Sequence, residues 1–87
     1  MKSTIVRVPW KRGLDLLPAA LIARVAERFH SRVVLKRGGC FSEATSILGV
    51  VILCAALSST LTIEADGDDE ADAIKAVAAC FESDASI

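Results

Sequence analysis

The sequence has few of the residues that usually build catalytic and metal sites. It contains one histidine, His30, and three cysteines, Cys40, Cys54 and Cys80, that form no Cys-x-x-Cys pair. An odd number of dispersed cysteines fits reduced, packed thiols better than a disulfide framework. One histidine argues against a zinc site, and no glycine-rich cofactor loop is present. We therefore predict neither a metal nor a cofactor.

The scarcity of histidine and of aromatic residues also argues against common enzyme classes and against nucleic-acid-binding proteins. A nucleophile, a base and an orienting group cannot be assembled around a single histidine, which argues against a hydrolase or an oxidoreductase. Aromatic residues make up only 5% of the chain and its net charge is -1. That balance argues against nucleic-acid binding. We expect an accessory protein rather than an independent catalyst.

Long hydrophobic runs are also missing. The most apolar stretch, "ILGVVILCAAL" at 47–57, is too short to cross a bilayer, so we expect no membrane insertion and interpret it as core plus a contact surface. Near the amino terminus, Lys2 and Arg7 interrupt any apolar leader segment. These features predict a cytoplasmic protein.

What the chain does contain is typical of a folded globular protein. Its 87 residues are 53% hydrophobic and 24% charged, which predicts one domain, spanning 1–87, around one core. The charge is unevenly distributed: nine of the ten Lys and Arg residues precede residue 38, whereas eight of the eleven acids follow residue 60. A basic face of this kind could attract an acidic partner.

Hydrophobic periodicity predicts the order β-α-β-β-α-β-α. We expect Thr45 or Ser46 to cap the second helix and Trp10 to lie in a loop or a surface patch. Strands with one apolar face and helices to cover it indicate an α+β open-faced sandwich with an antiparallel sheet. The predicted strands are 3–8, 32–36, 40–43 and 60–64, and the predicted helices are 16–29, 47–53 and 69–81.

Three stretches carry a resemblance to a known family: "GLDLLPAA" at 13–20, "SEATSILGVVIL" at 42–53 and "TLTIEADGDDEADAIKAV" at 60–77. Together they resemble the phosphocarrier protein HPr of the bacterial phosphoenolpyruvate-dependent sugar phosphotransferase system. The resemblance covers nearly the whole chain without a gap. It implies a four-stranded antiparallel sheet covered on one face by three helices, in agreement with the order predicted from the residues.

The first stretch departs from the family's pattern, which is Gly-Leu-His-x-Arg-Pro-Ala. In that pattern the histidine accepts a phosphoryl group and the arginine helps to hold it. Asp15 and Leu17 occupy those two positions here. His30 cannot replace the histidine if it ends the same helix, because it would then lie about 20 Å away along the axis.

The role of Asp15, the candidate catalytic residue, remains open between three alternatives. It is an N-cap and nothing more, a cap whose charge weakly imitates a phosphorylated histidine, or an acceptor that forms an acyl phosphate. The last alternative usually needs a metal ion or a cationic clamp, and Leu17 removes the expected cation. Lys11 and Arg12 are the nearest replacements in sequence.

The resemblance also implies a partner-binding surface and a regulatory site. Exposed apolar patches mark partner surfaces, although the same side chains could be core. In low-GC Gram-positive relatives, the serine that corresponds to Ser46 is phosphorylated by a dedicated kinase; here it could equally be only a cap. The predicted partner-binding residues are Leu16, Leu17, Ile47, Leu48 and Val51.

The expected partners are enzymes of the phosphotransferase system or a regulatory protein, with the chain itself a monomer or a weak homo-oligomer. We therefore predict an HPr-like, regulatory or partner-binding variant that does not carry a phosphoryl group on histidine. Two alternatives remain: a phosphocarrier that uses Asp15, or an unrelated interaction module on the same fold.

Overall fold

The structure, a computed structural model, describes residues 1–53 and 55–82. Its elements follow the predicted order. They are β1 (Lys2–Arg7), α1 (Leu16–Ala26), β2 (Arg32–Arg37), β3 (Cys40–Glu43), α2 (Ile47–Ile52), β4 (Thr60–Asp66) and α3 (Glu70–Cys80).

The four strands form one antiparallel sheet in the order β1-β4-β2-β3. Its register aligns Ile5, Thr62, Lys36 and Phe41 in one row across the sheet. Residues that are directly opposite one another point to the same face of a sheet. This row lies on the face that the helices leave uncovered, where Ile5 and Phe41 are exposed.

The other face of the sheet is covered by helices, as predicted. Leu61, Ile63 and Ala65 alternate along β4 with polar residues and are buried, because every second side chain of a strand points to the same side. Ile22 of α1 and Val77 of α3 complete the core above them. α1 packs against both α2 and α3.

α1 ends at Ala26 rather than at the predicted residue 29. The hydrogen bonds change there: Glu27 still donates to Ala23 at 3.0 Å, whereas the N–H of Phe29 donates to Ala26 at 3.2 Å, only three residues back. Such i-to-i−3 bonds tighten a final turn without extending the helix. The apolar period continues through the half-buried Phe29, which is why the sequence predicts a longer helix.

Trp10 lies in a loop, which is one of its two predicted placements, and not in a surface patch, which is the other. It is 2% exposed and packs against Phe81 with ring centroids 5.3 Å apart and ring planes tilted by 34°. The cysteines give mixed outcomes: Cys80 is buried, as predicted, whereas Cys40 is exposed on β3. Cys54 lies outside the described residues.

Candidate functional site

A tight turn before α1 positions the start of that helix. Gly13 has φ +75°, and a Cβ at this position would lie 2.5 Å from the carbonyl oxygen of Ala55. Only glycine combines that dihedral with that close approach. The N–H of Leu14 donates to the same Ala55 carbonyl at 2.8 Å, so the segment that leads into α1 is held against the chain that follows α2.

Asp15 occupies the N-cap position of α1, as predicted. Its backbone is extended, and its carbonyl oxygen accepts a hydrogen bond from the Ala19 N–H at 3.0 Å. Its carboxylate, however, makes no capping bond, and Oδ1 is buried without a hydrogen-bond partner among the described residues. The prediction of a side-chain cap is therefore wrong.

Pro18 explains why the cap is missing. An N-cap side chain normally accepts from the N–H of the second or third helical residue. The third residue of α1 is Pro18, which has no N–H to donate. Leu17 is then the single conventional donor, and the Asp15 carboxylate does not reach it in this structure.

The start of α1 is polarised but has no side-chain cation bound to Asp15. The N–H groups of Leu16 and Leu17 have no acceptor within the helix, which gives this end its partial positive charge. Lys11 and Arg12 are exposed in the preceding turn, and neither forms an ion pair with Asp15 among the described residues. The structure therefore supplies no cationic clamp of the kind that an acyl phosphate usually requires.

Exposed apolar side chains lie at this helix start and on the neighbouring α2. We call the following four residues the helix-face patch; their exposed fractions are 59%, 56%, 71% and 74% for Leu16, Leu17, Leu48 and Ile52. All four belong to α1 or α2, which pack against each other. Neither α2 nor the part of α1 before Arg24 contains a charged residue. The helix-face patch therefore has no charged member, and Asp15 directly precedes its first residue, Leu16.

The predicted partner-binding residues divide into two groups. Leu16, Leu17 and Leu48 are exposed, whereas Ile47 and Val51 are half-buried and pack against the core. Sequence reasoning missed Ile52. Its spacing of four from Leu48 would have indicated it, because residues at i and i+4 lie on the same side of a helix.

Ser46 caps α2. Its Oγ accepts a hydrogen bond from the Gly49 N–H at 3.2 Å, and its carbonyl accepts from the Val50 N–H at 2.9 Å. Ser46 is exposed. The structure therefore confirms the capping role and leaves the regulatory role a prediction, with the hydroxyl accessible beside the helix-face patch.

His30 lies far from this surface, beyond the end of α1, and it is exposed. Together with Asp68 and Asp69 it forms a group whose ligand atoms lie within 4.8 Å of one another. Both carboxylate oxygens of Asp69 already accept hydrogen bonds, one from the His30 N–H at 2.8 Å and the other from Ser31. The Ser31 hydroxyl and the His30 N–H hold the pKa of Asp69 below its usual range.

The basic and acidic halves of the chain meet in the fold. The Arg32 guanidinium bonds Glu43 at 2.6 Å, and Lys36 pairs with Glu64 at 3.1 Å on the uncovered face of the sheet. Arg24 and Arg28, on and just after α1, are exposed and form no ion pair among the described residues. Part of the predicted basic surface is therefore neutralised, whereas Arg24 and Arg28 remain exposed near the end of α1. Within the described residues, no helix has the length and hydrophobicity needed to span a membrane.

An open-faced α+β sandwich with a polarised helix start beside an apolar helix face is the architecture that the resemblance implies. A family model described as "PTS HPr component phosphorylation site" matches residues 2–83. The chain belongs to the HPr family of the phosphotransferase system.

Relatives of two kinds are similar to the chain. The HPr-like protein Crh of Halalkalibacterium halodurans is 37% identical over 79 residues, which cover 91% of this chain and 94% of the relative. A phosphocarrier protein HPr of Cupriavidus necator is 41% identical over 69 residues, which cover 79% of this chain and 78% of the relative.

Solved structures agree with the fold. HPr-C-His from Thermoanaerobacter tengcongensis superposes with a TM-score of 0.92 at 32% identity, covering 100% of this chain and 98% of its own. Crh from Bacillus subtilis, described as a dimer with a swapped domain, has a TM-score of 0.76 at 36% identity over 94% of each chain. The predicted family and fold class are therefore confirmed.

Proposed function

We propose that this chain is a cytoplasmic, regulatory member of the HPr family that binds partner proteins through the helix-face patch and carries no phosphoryl group on histidine. The observation that carries the proposal is the start of α1, where Asp15 and Leu17 stand at the positions of the family's phosphoryl-accepting histidine and its arginine. The Leu17 side chain is exposed and apolar, and Asp15 forms no ion pair among the described residues. These features favour a partner-binding surface that does not transfer a phosphoryl group.

The deciding experiment is phosphorylation by phosphoenolpyruvate and the charging enzyme of the phosphotransferase system. We expect no acid-labile label on the natural chain. The matched variant carries Asp15→His together with Leu17→Arg, which restores the family's pattern on the same backbone, and we expect it to gain the label. An acid-labile phosphoramidate on the natural chain would contradict the proposal.

Partner binding is tested separately by titration calorimetry with the unphosphorylated charging enzyme. Leu48→Lys places a charge in the centre of the apolar patch, and we expect it to weaken binding at least about tenfold, because a buried unpaired charge is costly. Phe41→Lys is the control, since Phe41 is 63% exposed on the opposite face of the molecule. Equal losses in both variants would place the docking surface elsewhere.

A second candidate function is phosphotransfer through Asp15. It is favoured by the N–H groups of Leu16 and Leu17, which have no acceptor within the helix and could receive phosphate oxygens. A carboxylate oxygen would attack the phosphorus of the charging enzyme's phosphohistidine, breaking its P–N bond and forming an acyl phosphate. Hydroxylamine cleaves such a bond, so this function requires a hydroxylamine-sensitive label that disappears in Asp15→Asn. The family match argues against the third alternative, an unrelated module on the same fold.

Regulation through Ser46 completes the proposal. The hydroxyl would attack the γ-phosphorus of ATP in a kinase, losing its proton and releasing ADP. The added charge of about −2 would then lie at the edge of the apolar patch. We expect an ATP-dependent HPr kinase to label the natural chain and Thr45→Val, but not Ser46→Ala. Labelling of Ser46→Ala would place the modification on another residue.

A further inference from the structure

α2 depends on the rest of the fold for its position. It has six residues and includes Gly49, and of its side chains only Val50 is fully buried. A helix of this length is not stable alone in water, and a glycine inside it lowers its stability by about 1 kcal/mol relative to alanine. Because Leu48 and Ile52 of the helix-face patch belong to α2, their positions depend on the contacts that hold this helix.

The amino-terminal end of α2 is held against β3. In addition to the cap from Ser46, Gly49 packs closely on β3: a Cβ at this position would contact the Ser42 hydroxyl and would lie 3.2 Å from the Ser42 Cβ. The Ser42 hydroxyl in turn donates to the carbonyl oxygen of Glu43 at 3.0 Å. This end of the helix therefore has a defined place on the sheet.

The carboxyl-terminal end of α2 is held by an arginine from another element. Leu53 is the C-cap residue of α2, and its carbonyl oxygen accepts a hydrogen bond from Arg37 Nη1 at 3.1 Å. The last carbonyl groups of a helix have no partner within the helix and carry a partial negative charge. α2 has no basic residue in its last turn, so the cation at this end comes from β2.

The alternation along β2 directs Arg37 towards α2. Alternate residues of a strand point to the same side of the sheet, and Val33 and Leu35 are buried on the side that the helices cover. Arg37 continues this series as the last residue of β2. Its neighbour Lys36 points to the uncovered face, where it pairs with Glu64 at 3.1 Å. Two adjacent cations of one strand thus have different partners, and Arg37 is the one that bonds the end of α2.

We propose that Arg37 is a positioning residue for partner binding: its guanidinium anchors the carboxyl-terminal end of α2 and thereby fixes the α2 half of the helix-face patch. Ile52 directly precedes the anchored Leu53, whereas Leu48 lies close to the Ser46 cap. Loss of the anchor should therefore displace Ile52 more than Leu48. The inference rests on the proposed function in one respect, the use of the patch for binding; the anchoring of α2 is tested without any partner.

Amide hydrogen exchange of the full chain alone tests the anchoring. Arg37→Met keeps an unbranched stem but removes the charge and the donors. We expect the amides of Ile52 and Leu53 to exchange about two- to fivefold faster in this variant, the range that corresponds to loss of a cation at a helix end. Lys36→Met is the matched control, because it removes the same charge from the adjacent residue of β2, and it should leave these amides unchanged. Arg37→Lys keeps a cation with donors and should restore part of the protection.

Titration calorimetry with the unphosphorylated charging enzyme tests the effect on binding. We expect Arg37→Met to weaken binding about two- to fivefold and Lys36→Met to leave it unchanged. A double-mutant cycle supplies a readout that a general loss of stability would not reproduce. Ile52→Ala should weaken binding by a smaller factor in the Arg37→Met background than in the natural chain, whereas Leu16→Ala, on α1, should weaken it by the same factor in both.

Two results would overturn the proposal. The first is exchange at Ile52 and Leu53 that is as slow in Arg37→Met as in the natural chain, or that Lys36→Met accelerates equally. The second is an Arg37→Met variant that binds the enzyme as tightly as a natural chain that binds it through the patch. If the natural chain does not bind the enzyme, the proposed function fails, and the exchange comparison alone decides whether Arg37 anchors α2.

Discussion

The hydroxyl of Ser31 and its backbone N–H both donate to the same oxygen of Asp69, Oδ1. Asp69 is the N-cap residue of α3, and Ser31 directly precedes β2. One carboxylate therefore joins the start of a helix to the start of a strand that is 38 residues away in sequence. Gly67 fits closely against this junction, since a Cβ there would lie 2.6 Å from Ser31 Cα.

The first prediction concerns this junction. Ser31→Ala removes one donor, whereas Asp69→Asn leaves a partner with one acceptor and a misplaced N–H₂ group. We expect both variants to have lower urea midpoints than the natural chain, with the larger fall in Asp69→Asn. Asp72→Asn, on the exposed side of the same helix turn, is the control. A midpoint that is the same in all three variants would show that the junction contributes nothing to stability.

The second prediction is a pH dependence with a defined sign. The Ser31 hydroxyl lowers the pKa of Asp69, and the Gly67 N–H lowers that of Glu70. A depressed folded-state pKa stabilises the protein above the ordinary carboxyl pKa, and that stability is lost as pH falls through the folded value. Urea midpoints should therefore fall below about pH 4. The fall should be shallower in Asp69→Asn; an equally steep curve would exclude Asp69 as a source.

The third prediction contrasts the two helix caps. Ser46→Ala removes a capping bond that the structure contains, so it should lower the free energy of unfolding by about 1 kcal/mol. Asp15→Ala removes a carboxylate that makes no capping bond, so it should lower the free energy of unfolding by less than Ser46→Ala does. Chemical denaturation at pH 7 measures both. The reverse order would mean that the Asp15 carboxylate does cap α1 in solution.

The fourth prediction concerns Gly13. Gly13→Ala introduces a Cβ that meets the Ala55 carbonyl and forces a left-handed φ on alanine, so we expect destabilisation of about 1–3 kcal/mol. Gly39→Ala is the control, because nothing lies within 4 Å of a Cβ there. Thermal unfolding followed by circular dichroism compares them. A Gly13→Ala variant as stable as Gly39→Ala would show that the turn before α1 adapts.

The fifth prediction uses Trp10, the chain's one tryptophan. Because the indole is buried against Phe81, its fluorescence emission should be blue-shifted in the folded protein and should move to the red on unfolding. Trp10→Ala should lower the free energy of unfolding by about 3–5 kcal/mol. Trp10→Phe keeps an aromatic contact with Phe81, so it should destabilise the protein less than Trp10→Ala does. Fluorescence and urea unfolding provide the two measurements. Emission typical of a water-exposed indole in the folded protein would contradict the packing of this ring.

The sequence predicted the features that depend on local periodicity. The alternation along β4 and the three- and four-residue spacing in α1 each follow from burial of one side of an element, and both elements are present. The end of α1 was missed because the apolar period continues through Phe29 after the hydrogen-bond pattern has changed. The burial of Trp10 was missed for a different reason: its contact with Phe81 joins residues far apart in sequence, which no local pattern reveals.

The site was predicted in the same partial way. The family's motif correctly placed Asp15 at the start of α1, but N-cap propensity alone could not show that Pro18 withdraws a donor. Leu48 is exposed as the patch requires. Ile47 and Val51 are instead half-buried and pack against the core, because a six-residue helix that packs on α1 must bury one of its sides.

The strand order also bears on how the chain folds as it is synthesised. β1 is synthesised before β4, its only partner among the described strands, which begins at Thr60. β1 therefore cannot pair until β4 has been translated, whereas the β2–β3 hairpin can close earlier. Pairing between segments so distant in sequence slows folding through the entropy of loop closure. For this chain the last step of folding is expected to be the docking of β1 onto β4.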